Sequence, residues 1–503
     1  MNAPTYHGER TAHLNTAGAG RMPDAVHAVL ARCTALDDRF GPAAVHESPD
    51  GRALTRVHER LGALLGVPAD RTVLTTGAAP AFEAFAAAIA LGPRDRIWTT
   101  PHEGVANLHA LHTLRERTRC RLEVVPLRPD GDLDLDWMRT HLDQDVALVS
   151  AVHLSAACGT VNPVRDIGRL LAHHRARYTV DASHSVGLLP LDAARIGCHL
   201  LTADGWRFLR GPQDTGFAYL APTPHPTPHN APRRASQDAP HNARQDGPHN
   251  APQDGPPNAP RGGAYNTPQG APQDGSRNAP QDGPLTAPHS APQDGRQALL
   301  QAPAPAPAAV AALEAALAHR ADAAHRADAA HRADAARPAG GDLLPLLRDA
   351  VRRTPGMELL AAGREQAAVL AFRHAEVPAA AIRRGLARRG VVLAKTVAHE
   401  HPLHPAGRVA APALRACVDQ DSTAHDIDRF RQALAEVLLE ERRAAAAVPA
   451  RAVRAAAGSA GSAGSAGSAG SADPDPGPPA PSPYRTARPA RRRGGHLTLH
   501  RAN

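Results

Sequence analysis

Lysine, aromatic residues and long apolar runs are all scarce in this chain of 503 residues. Lys395 is its only lysine, so arginine supplies nearly all of the positive charge behind a formal net charge of +8. Aromatic residues make up 3% of the chain, although the hydrophobic fraction of 42% is ordinary for a globular protein. No apolar run approaches the roughly 18 residues of a membrane span, and the N-terminal stretch has no apolar signal core. These absences predict a soluble, cytoplasmic protein that makes no use of a membrane.

Cysteine is also rare, and the positions of the cysteines along the chain bear on metal binding. The cysteines are odd in number and scattered, and none forms a CxxC pair or a local cluster with histidine. The sequence therefore predicts no metal site and a reducing environment. The five cysteines are Cys33, Cys120, Cys158, Cys198 and Cys417.

Arginine is concentrated at the C-terminal end, in RTARPARRRGGHLTLHRAN. A basic segment of this kind can contact nucleic acid or an anionic surface. An arginine-rich end that is simply solvated needs no partner, and we expect that state rather than a nucleic-acid complex.

Residues 20–221 alternate between short β-branched runs and helical stretches. TVLTT at 72–76 and RYTVDA at 177–182 are typical of strands, and APAFEAFAAAIALG at 79–92 is typical of a helix. Strands that alternate with helices of this length predict βαβ units and a mostly parallel sheet. In such sheets ligands bind at the carboxyl ends of the strands.

The composition divides the chain into five parts, of which residues 1–221 are the first. Residues 222–302 repeat units such as HNAPQDGP and offer no apolar face, which predicts a disordered insertion. Residues 303–341 are rich in alanine and predict a helix whose six-residue repeat projects into solvent, with its spaced histidines a by-product of the repeat. Residues 342–443 predict a small α+β domain, and residues 444–503 predict a flexible linker and the basic tail.

Four segments, in the same order and at similar spacing, resemble the class V aminotransferase group. They are HLNTAGAGRMP, VHLSAACGTVNPVRDIGRL, the long segment from YTVDASHSVG to FLRGPQDTGFAYL, and LRACVDQDSTAHDIDRF. The resemblance covers roughly residues 12–221 and 342–440 and is strongest to isopenicillin N epimerase-like and cysteine desulfurase-like proteins. It implies an α/β, fold type I pyridoxal-phosphate transferase, with helices on both faces of a mostly parallel large-domain sheet and a small α+β C-terminal domain. It also implies pyridoxal 5'-phosphate as cofactor, a small-molecule amino-acid substrate and a homodimer.

The resemblance assigns cofactor roles to Asp181 and His184. Asp181 closes the strand YTVD, where the family keeps the carboxylate that holds the pyridinium nitrogen protonated. Without that context it would be an aspartate that caps a turn. His184, in DASHSVG, matches the residue near the phenolic oxygen of the cofactor and would donate a hydrogen bond or carry a proton. A plain surface histidine is the alternative.

Phosphate binding requires backbone N–H groups at the start of a helix, and hydroxyl groups beside them. The turn in TTGAAPAFEAF provides Thr76, Gly77 and Ala78, although the family often has a threonine where this chain has Ala79. Thr202, in LLTADGWR, matches the family's second hydroxyl. These residues are the cofactor-phosphate ligands that the resemblance implies.

Two residues of the small domain are assigned to the substrate. Arg415, in LRACV, matches the arginine that binds the substrate carboxylate by a two-point contact. The alternative is one more arginine in an arginine-rich chain. Lys395, in GVVLAK, stands close to where desulfurases have a substrate-facing arginine, and a surface lysine is its alternative.

The sequence departs from the family at the cofactor-binding lysine, which stands immediately before FLRGP and is Arg207 here. A guanidinium stays protonated up to about pH 12 and does not form a Schiff base. The ordinary catalytic cycle is therefore lost unless another group forms the Schiff base in its place. Gly104, in EGVAN, offers no ring to stack on the cofactor, and the insertion occupies the region that should reach the neighbouring subunit's phosphate. No cysteine lies in VAHEH at 397–401, which disfavours a cysteine desulfurase.

Three functions stay open at this point. The first is a lysine-independent pyridoxal-phosphate enzyme with His184 as acid or base, whose reaction is transamination, epimerisation or elimination. The second is a non-catalytic relative that serves as a binding or partner subunit and pairs with an intact homologue. The third is a cofactor-free enzyme whose old pocket binds an anion through Arg207, Arg210, His184 and Arg415.

Overall fold

A computed structural model describes residues 11–222, 295–331, 343–360, 363–396, 401–404 and 412–458. The disordered insertion and the basic tail that the sequence predicts lie outside these residues, apart from the ends of the insertion. The chain divides into two units, Met1–Arg442 and Arg443–Asn503, and the sheets described next belong to the first unit. Within the described residues, no helix is long and apolar enough to cross a lipid bilayer.

The helices and strands alternate through the first 220 residues, as the sequence predicts. The strands are β1 Ala12–His13, β2 Thr72–Thr75, β3 Arg96–Thr99, β4 Arg121–Val124, β5 Val146–Val152, β6 Arg177–Asp181, β7 Leu200–Asp204, β8 Gly216–Leu220, β9 Met357–Leu359, β10 Val369–His374, β11 Val391–Val392, β12 Ala394–Thr396 and β13 Ala413–Cys417. The helices are α1 Asp24–Phe40, α2 Pro42–Glu47, α3 Ala53–Leu65, α4 Ala78–Ala88, α5 Val105–Thr118, α6 Leu135–His141, α7 Val164–Leu171, α8 Ala193–Ile196, α9 Gly295–Leu300, α10 Pro307–His331, α11 Leu343–Arg352, α12 Ala379–Arg388 and α13 Ala424–Gly458.

The large sheet has seven strands in the order β2-β8-β7-β6-β5-β3-β4. The pairs from β4 through β3, β5 and β6 to β7 are parallel, and β8 alone runs antiparallel to its neighbours β7 and β2. The predicted α/β fold with a mostly parallel sheet is therefore confirmed.

Both faces of this sheet are buried, which is why its central strands read as continuous apolar runs. Every residue of β5, VALVSAV, is buried. Val149 belongs to one hydrophobic core and Leu148 to another, because successive side chains of a strand point to opposite faces. Helices therefore cover the sheet on each side, and its functional edge lies where the parallel strands end.

The small sheet is antiparallel, in the order β12-β13-β10-β9. Its core includes Phe372 and Phe430, whose rings make an edge-to-face contact. The N-terminal strand β1 pairs in parallel with β11 and so ties the start of the chain to this part of the fold.

The alanine-rich helix α10 is part of the fold over its first turns. Leu313 and Leu317 join the core under the large sheet, and Ala312 packs near α1. Glu314 accepts hydrogen bonds from Arg56 and Arg60 of α3, which adds ion pairs to the apolar contact. The expected projection into solvent concerns the six-residue repeat that follows these turns, and it stays a prediction.

Candidate functional site

The carboxyl ends of the parallel strands bring the candidate residues together. Asp181 ends β6 and Asp204 ends β7, and β2 leads through Thr76 and Gly77 into the start of α4. In a parallel sheet these ends share one edge. The predicted cofactor residues therefore lie at one edge of the sheet, as the sequence argument requires.

Asp181 is held in a network of buried polar side chains. Its Oδ1 accepts the backbone N–H of Ser183 at 2.8 Å, and its Oδ2 accepts a hydrogen bond from Asn107 Nδ2 at 3.1 Å. The same Asn107 amide donates to Glu103 Oε1 at 2.9 Å. Burial raises the pKa of Asp181, which means that the environment disfavours the charged form of this carboxyl group.

Glu103 is the second carboxyl group of this network. Thr99 and Ser150 donate hydrogen bonds to its Oε2 at 3.1 and 2.9 Å. Burial, and then the charge of Asp181, raise the pKa of Glu103 to about 7. The site therefore holds two acidic groups linked by one amide, of which Asp181 was predicted and Glu103 was not.

Asp204 joins the start of α4 to Arg207. Its Oδ1 accepts the backbone N–H of Ala78 at 3.0 Å, and its Oδ2 accepts a hydrogen bond from Arg207 Nε at 2.8 Å in an ion pair. Arg207 Nη1 donates in addition to the carbonyl of Ala17 at 2.6 Å. A carboxylate at the first N–H of a helix is stabilised by the helix dipole, so this arrangement is a complete ion pair that needs no further anion.

The predicted phosphate-binding turn is partly occupied by other groups of the chain. The N–H of Thr76 donates to the carbonyl of Pro303 at 2.9 Å, and that of Ala78 donates to Asp204. Thr202, the predicted second hydroxyl, is buried within β7 opposite Asp181, whereas Asp204 is the residue of β7 that contacts the start of α4. The assignment of Thr202 to the cofactor phosphate stays a prediction.

His184 lies beside both predicted arginines. Burial, then the positive charges of Arg207 and Arg415, hold its pKa well below the usual value. The imidazole is therefore neutral at physiological pH and can accept or donate a proton without itself adding charge. The surface-histidine alternative does not describe this environment, while the catalytic role stays a prediction.

Arg415 is the predicted substrate residue that the structure places best. It lies on β13 with 7% of its surface exposed. Its Nη1 donates to the carbonyl of Ala156 at 3.3 Å, its Nε has no hydrogen-bond partner, and no carboxylate in the described part of the chain pairs with it. A buried guanidinium without a counter-ion is costly unless an anion binds there.

Lys395 does not share the position of Arg415. In the antiparallel pairing of β12 with β13, Lys395 is opposite Leu414, and Ala394 is opposite Arg415. Side chains of directly opposed residues share a face, and neighbours along a strand take opposite faces. Lys395 therefore lies on the face of Leu414, away from Arg415, and its assignment to the substrate side is corrected.

A further group of buried residues was missed altogether. His102, Cys158 and His404 come from three distant segments, and their potential ligand atoms lie within 4.8 Å of one another. Local spacing in the sequence could not reveal this contact, because the fold alone brings the segments together. The prediction of no metal site rested on local clusters only.

Comparisons with known proteins agree with this fold. The family model described as Aminotransferase class-V matches residues 44–227. Probable cysteine desulfurases of Xylella fastidiosa strain 9a5c and Halobacterium salinarum are 31% and 28% identical to this chain over 218 residues. These matches cover 42% of this chain, and the chain spans about half of each relative, 51% and 52%.

The solved structures cover more of the chain at lower identity. The cysteine desulfurase CsdA from Escherichia coli has a TM-score of 0.61 and 18% identity, and the match covers 85% of this chain and 94% of CsdA. A mutant of C-DES with glycine covalently linked to its pyridoxal-phosphate cofactor has a TM-score of 0.60 and 17% identity, over 84% of this chain and 96% of that structure. The predicted fold type I architecture is confirmed.

Proposed function

We propose that this chain binds an amino acid or a related small carboxylate at Arg415, in a degenerate cofactor site. Over residues 44–227 the chain belongs to the pyridoxal-phosphate family of class V aminotransferases. In this proposal Arg207 stands where the family has its cofactor-binding lysine, and the protein attaches no cofactor covalently. The observation that carries the proposal is the ion pair of Arg207 with Asp204 at the start of α4.

One end of the site fits the cofactor of the family. Asp181 is a half-buried residue at a strand end, and desolvation raises the pKa of its carboxyl group, which a cationic partner would lower. A pyridinium nitrogen is such a partner. Asn107 and Ser183 orient the Asp181 carboxylate.

The other end of the site does not fit. A phosphate needs free N–H groups at the helix start, and two of the three predicted N–H groups already donate to Pro303 and Asp204. The Asp204 carboxylate would repel a phosphate, and the guanidinium beside it is already neutralised. Since Arg207 forms no Schiff base either, we derive no catalytic step through pyridoxal phosphate for this chain.

What remains is a site for a small carboxylate. Arg415 offers a guanidinium that lacks a counter-ion among the described residues, and His184 beside it is neutral. A guanidinium binds a carboxylate by two parallel hydrogen bonds. The curated relatives are named as cysteine desulfurases, which makes L-cysteine the first amino acid to test, although the sequence lacks a cysteine at 397–401. A homodimer stays a prediction.

The test measures ligand binding by isothermal titration with L-cysteine, L-alanine and succinate. We expect at least one of them to bind, and Arg415→Lys to weaken binding by at least about tenfold, because lysine cannot make the two-point contact. The matched control is Arg373→Lys, an arginine on the neighbouring strand β10 that is paired with Glu358. Equal binding by the Arg415 variant and the parent protein would remove Arg415 from the site, and no binding of any ligand would contradict the proposal.

A further inference from the structure

Three buried side chains converge beside the site although they are far apart in the sequence. His102 follows β3, Cys158 lies in the loop after β5, and His404 belongs to the segment between β12 and β13. Their exposed fractions are 0%, 0% and 3%. The two imidazole rings have centroids 5.1 Å apart, and Cys158 Sγ lies 3.5 Å from His404 Nε2.

The buried imidazole of His102 is poorly satisfied. Both of its ring nitrogens are fully buried, and neither makes a hydrogen bond of good geometry with a described residue. Such an imidazole is rare, because each unsatisfied polar atom costs free energy. A metal ion that accepts an electron pair from one ring nitrogen would remove this cost at that nitrogen.

The sulfur of Cys158 faces the imidazole of His404 and two hydroxyl groups. His404 Nε2 lies 3.5 Å from the sulfur, and the ring of His102 lies beside that of His404. Ser155 Oγ and Thr160 Oγ1 lie 3.4 and 3.1 Å from the sulfur and add hydrogen-bonding groups around it. The thiolate, and not the thiol, is the form of cysteine that binds metal ions.

One of the three donor-to-donor distances matches a tetrahedral metal ion directly, and all three donors lie within 4.8 Å of one another. With a Zn–S bond of about 2.3 Å and a Zn–N bond of about 2.0 Å, a tetrahedral angle separates sulfur and nitrogen by about 3.5 Å. That is the observed separation of Cys158 Sγ and His404 Nε2. Thiolate and imidazole are the donors that zinc prefers, and a set of three protein ligands is typical of zinc sites that keep one position open.

We propose that His102, Cys158 and His404 bind one Zn²⁺ ion and leave its fourth coordination position open. The site stands next to the small-carboxylate site, since Arg415 Nη1 donates to the carbonyl of Ala156, which lies in the same loop as Cys158. The proposal does not depend on the function of Arg415, because the three donors are complete without it.

Cobalt provides the test, because Co²⁺ replaces zinc and reports its ligands in the absorption spectrum. The full-length protein is freed of metal with a chelator and titrated with Co²⁺, then with Zn²⁺. We expect a thiolate-to-cobalt charge-transfer band that saturates at one ion per chain and disappears when zinc is added. The histidines of the alanine-rich repeat cannot give this band, since it requires a thiolate.

Substitutions test whether the charge-transfer band comes from Cys158 and His102. Cys158→Ser should abolish it, and His102→Ala should weaken cobalt binding by at least an order of magnitude. Cys198→Ser is the matched control, a buried cysteine outside the cluster, and should keep the band. Metal-free parent protein with a native circular dichroism spectrum that gives no band overturns the proposal, whatever the variants do. A band that survives Cys158→Ser also overturns it.

Discussion

At the scale of single residues, Arg207 and Asp204 complement each other. Arg207 alone would place a positive charge without a partner beside the helix start, and Asp204 alone would place a carboxylate there without a counter-ion. Together they form an ion pair in which Asp204 also accepts the N–H of Ala78. The pair therefore leaves neither charge without a partner at the start of α4.

The sequence predicted some of these residues and not others, for a physical reason. Asp181 and Arg415 end or occupy strands, and strand positions follow from local pattern. The contact of Asp204 with Ala78 joins residues 126 positions apart, and Glu103 acquires its role only through Thr99, Ser150 and Asn107. Contacts of that kind depend on the register of the folded sheet.

A buried histidine gives a prediction at this scale. Burial, then the charge of Arg177, lower the pKa of His199 to about 4, and its Nδ1 accepts the N–H of Tyr178 at 3.0 Å. Since the unfolded chain binds this proton at its ordinary pKa of about 6.5, the unfolded state holds more protons between the two values. Stability from His199 is thus complete above about pH 6.5 and is lost as the pH falls towards 4.

His199→Asn keeps a hydrogen-bond acceptor near the position of Nδ1 but cannot be protonated. We expect the variant to lose up to ~1.4 kcal/mol per pH unit of the slope in unfolding free energy across this window. Denaturant unfolding of both proteins at pH 4.5, 5.5 and 7 measures the difference. Identical slopes would show that folding does not change the pKa of His199, which would contradict the prediction.

At the scale of elements, the sequence predicted the strands and helices of the large domain from their local pattern. The β-branched runs mark β2 to β6 to within a few residues; most residues of these strands are buried, and the exception is β4 at the edge of the sheet. For α10, local composition does not show which of its residues are buried. Burial of a helix is decided by its neighbours, here α1 and α3, and not by its own composition.

The contact between α7 and α8 depends on a glycine. A Cβ atom at Gly168 would lie 1.7 Å from the carbonyl oxygen of Ile196, so alanine there forces the two helices apart. We expect Gly168→Ala to lower the free energy of unfolding by about 1–3 kcal/mol. Thermal and urea unfolding provide the measurement.

Gly92→Ala is the control, because the nearest atom to its added Cβ would be Asp95 Oδ2 at 3.7 Å, an ordinary contact. We expect this variant to unfold within ~0.5 kcal/mol of the parent protein. A Gly168 variant as stable as the Gly92 variant would mean that α8 adjusts freely.

At the scale of the whole molecule, the comparisons establish the fold, a fold type I architecture. Segment order alone predicted the two sheets, because each segment has a strong local pattern. It could not predict that the segment after β3, the loop after β5 and the segment before β13 would bring His102, Cys158 and His404 together. The closeness of two strand ends follows from the sheet, whereas contacts between the loops that follow them require coordinates.

We infer that Arg207 and Asp204 together prevent covalent attachment of the cofactor. The most direct measurement incubates the parent protein and the double variant Arg207→Lys/Asp204→Ser with pyridoxal phosphate, reduces both with borohydride, dialyses them and maps the attached cofactor by peptide mass spectrometry. Arg207→Lys alone is the matched control, because Asp204 still occupies the start of α4 in that variant.

We expect that no cofactor is fixed to the parent protein and that the single variant attaches it weakly. The double variant should attach it stoichiometrically at residue 207. Stoichiometric attachment to the parent protein, at Lys395 or elsewhere, would contradict the inference. A correctly folded double variant that attaches no cofactor would show that the site is closed for reasons other than this ion pair.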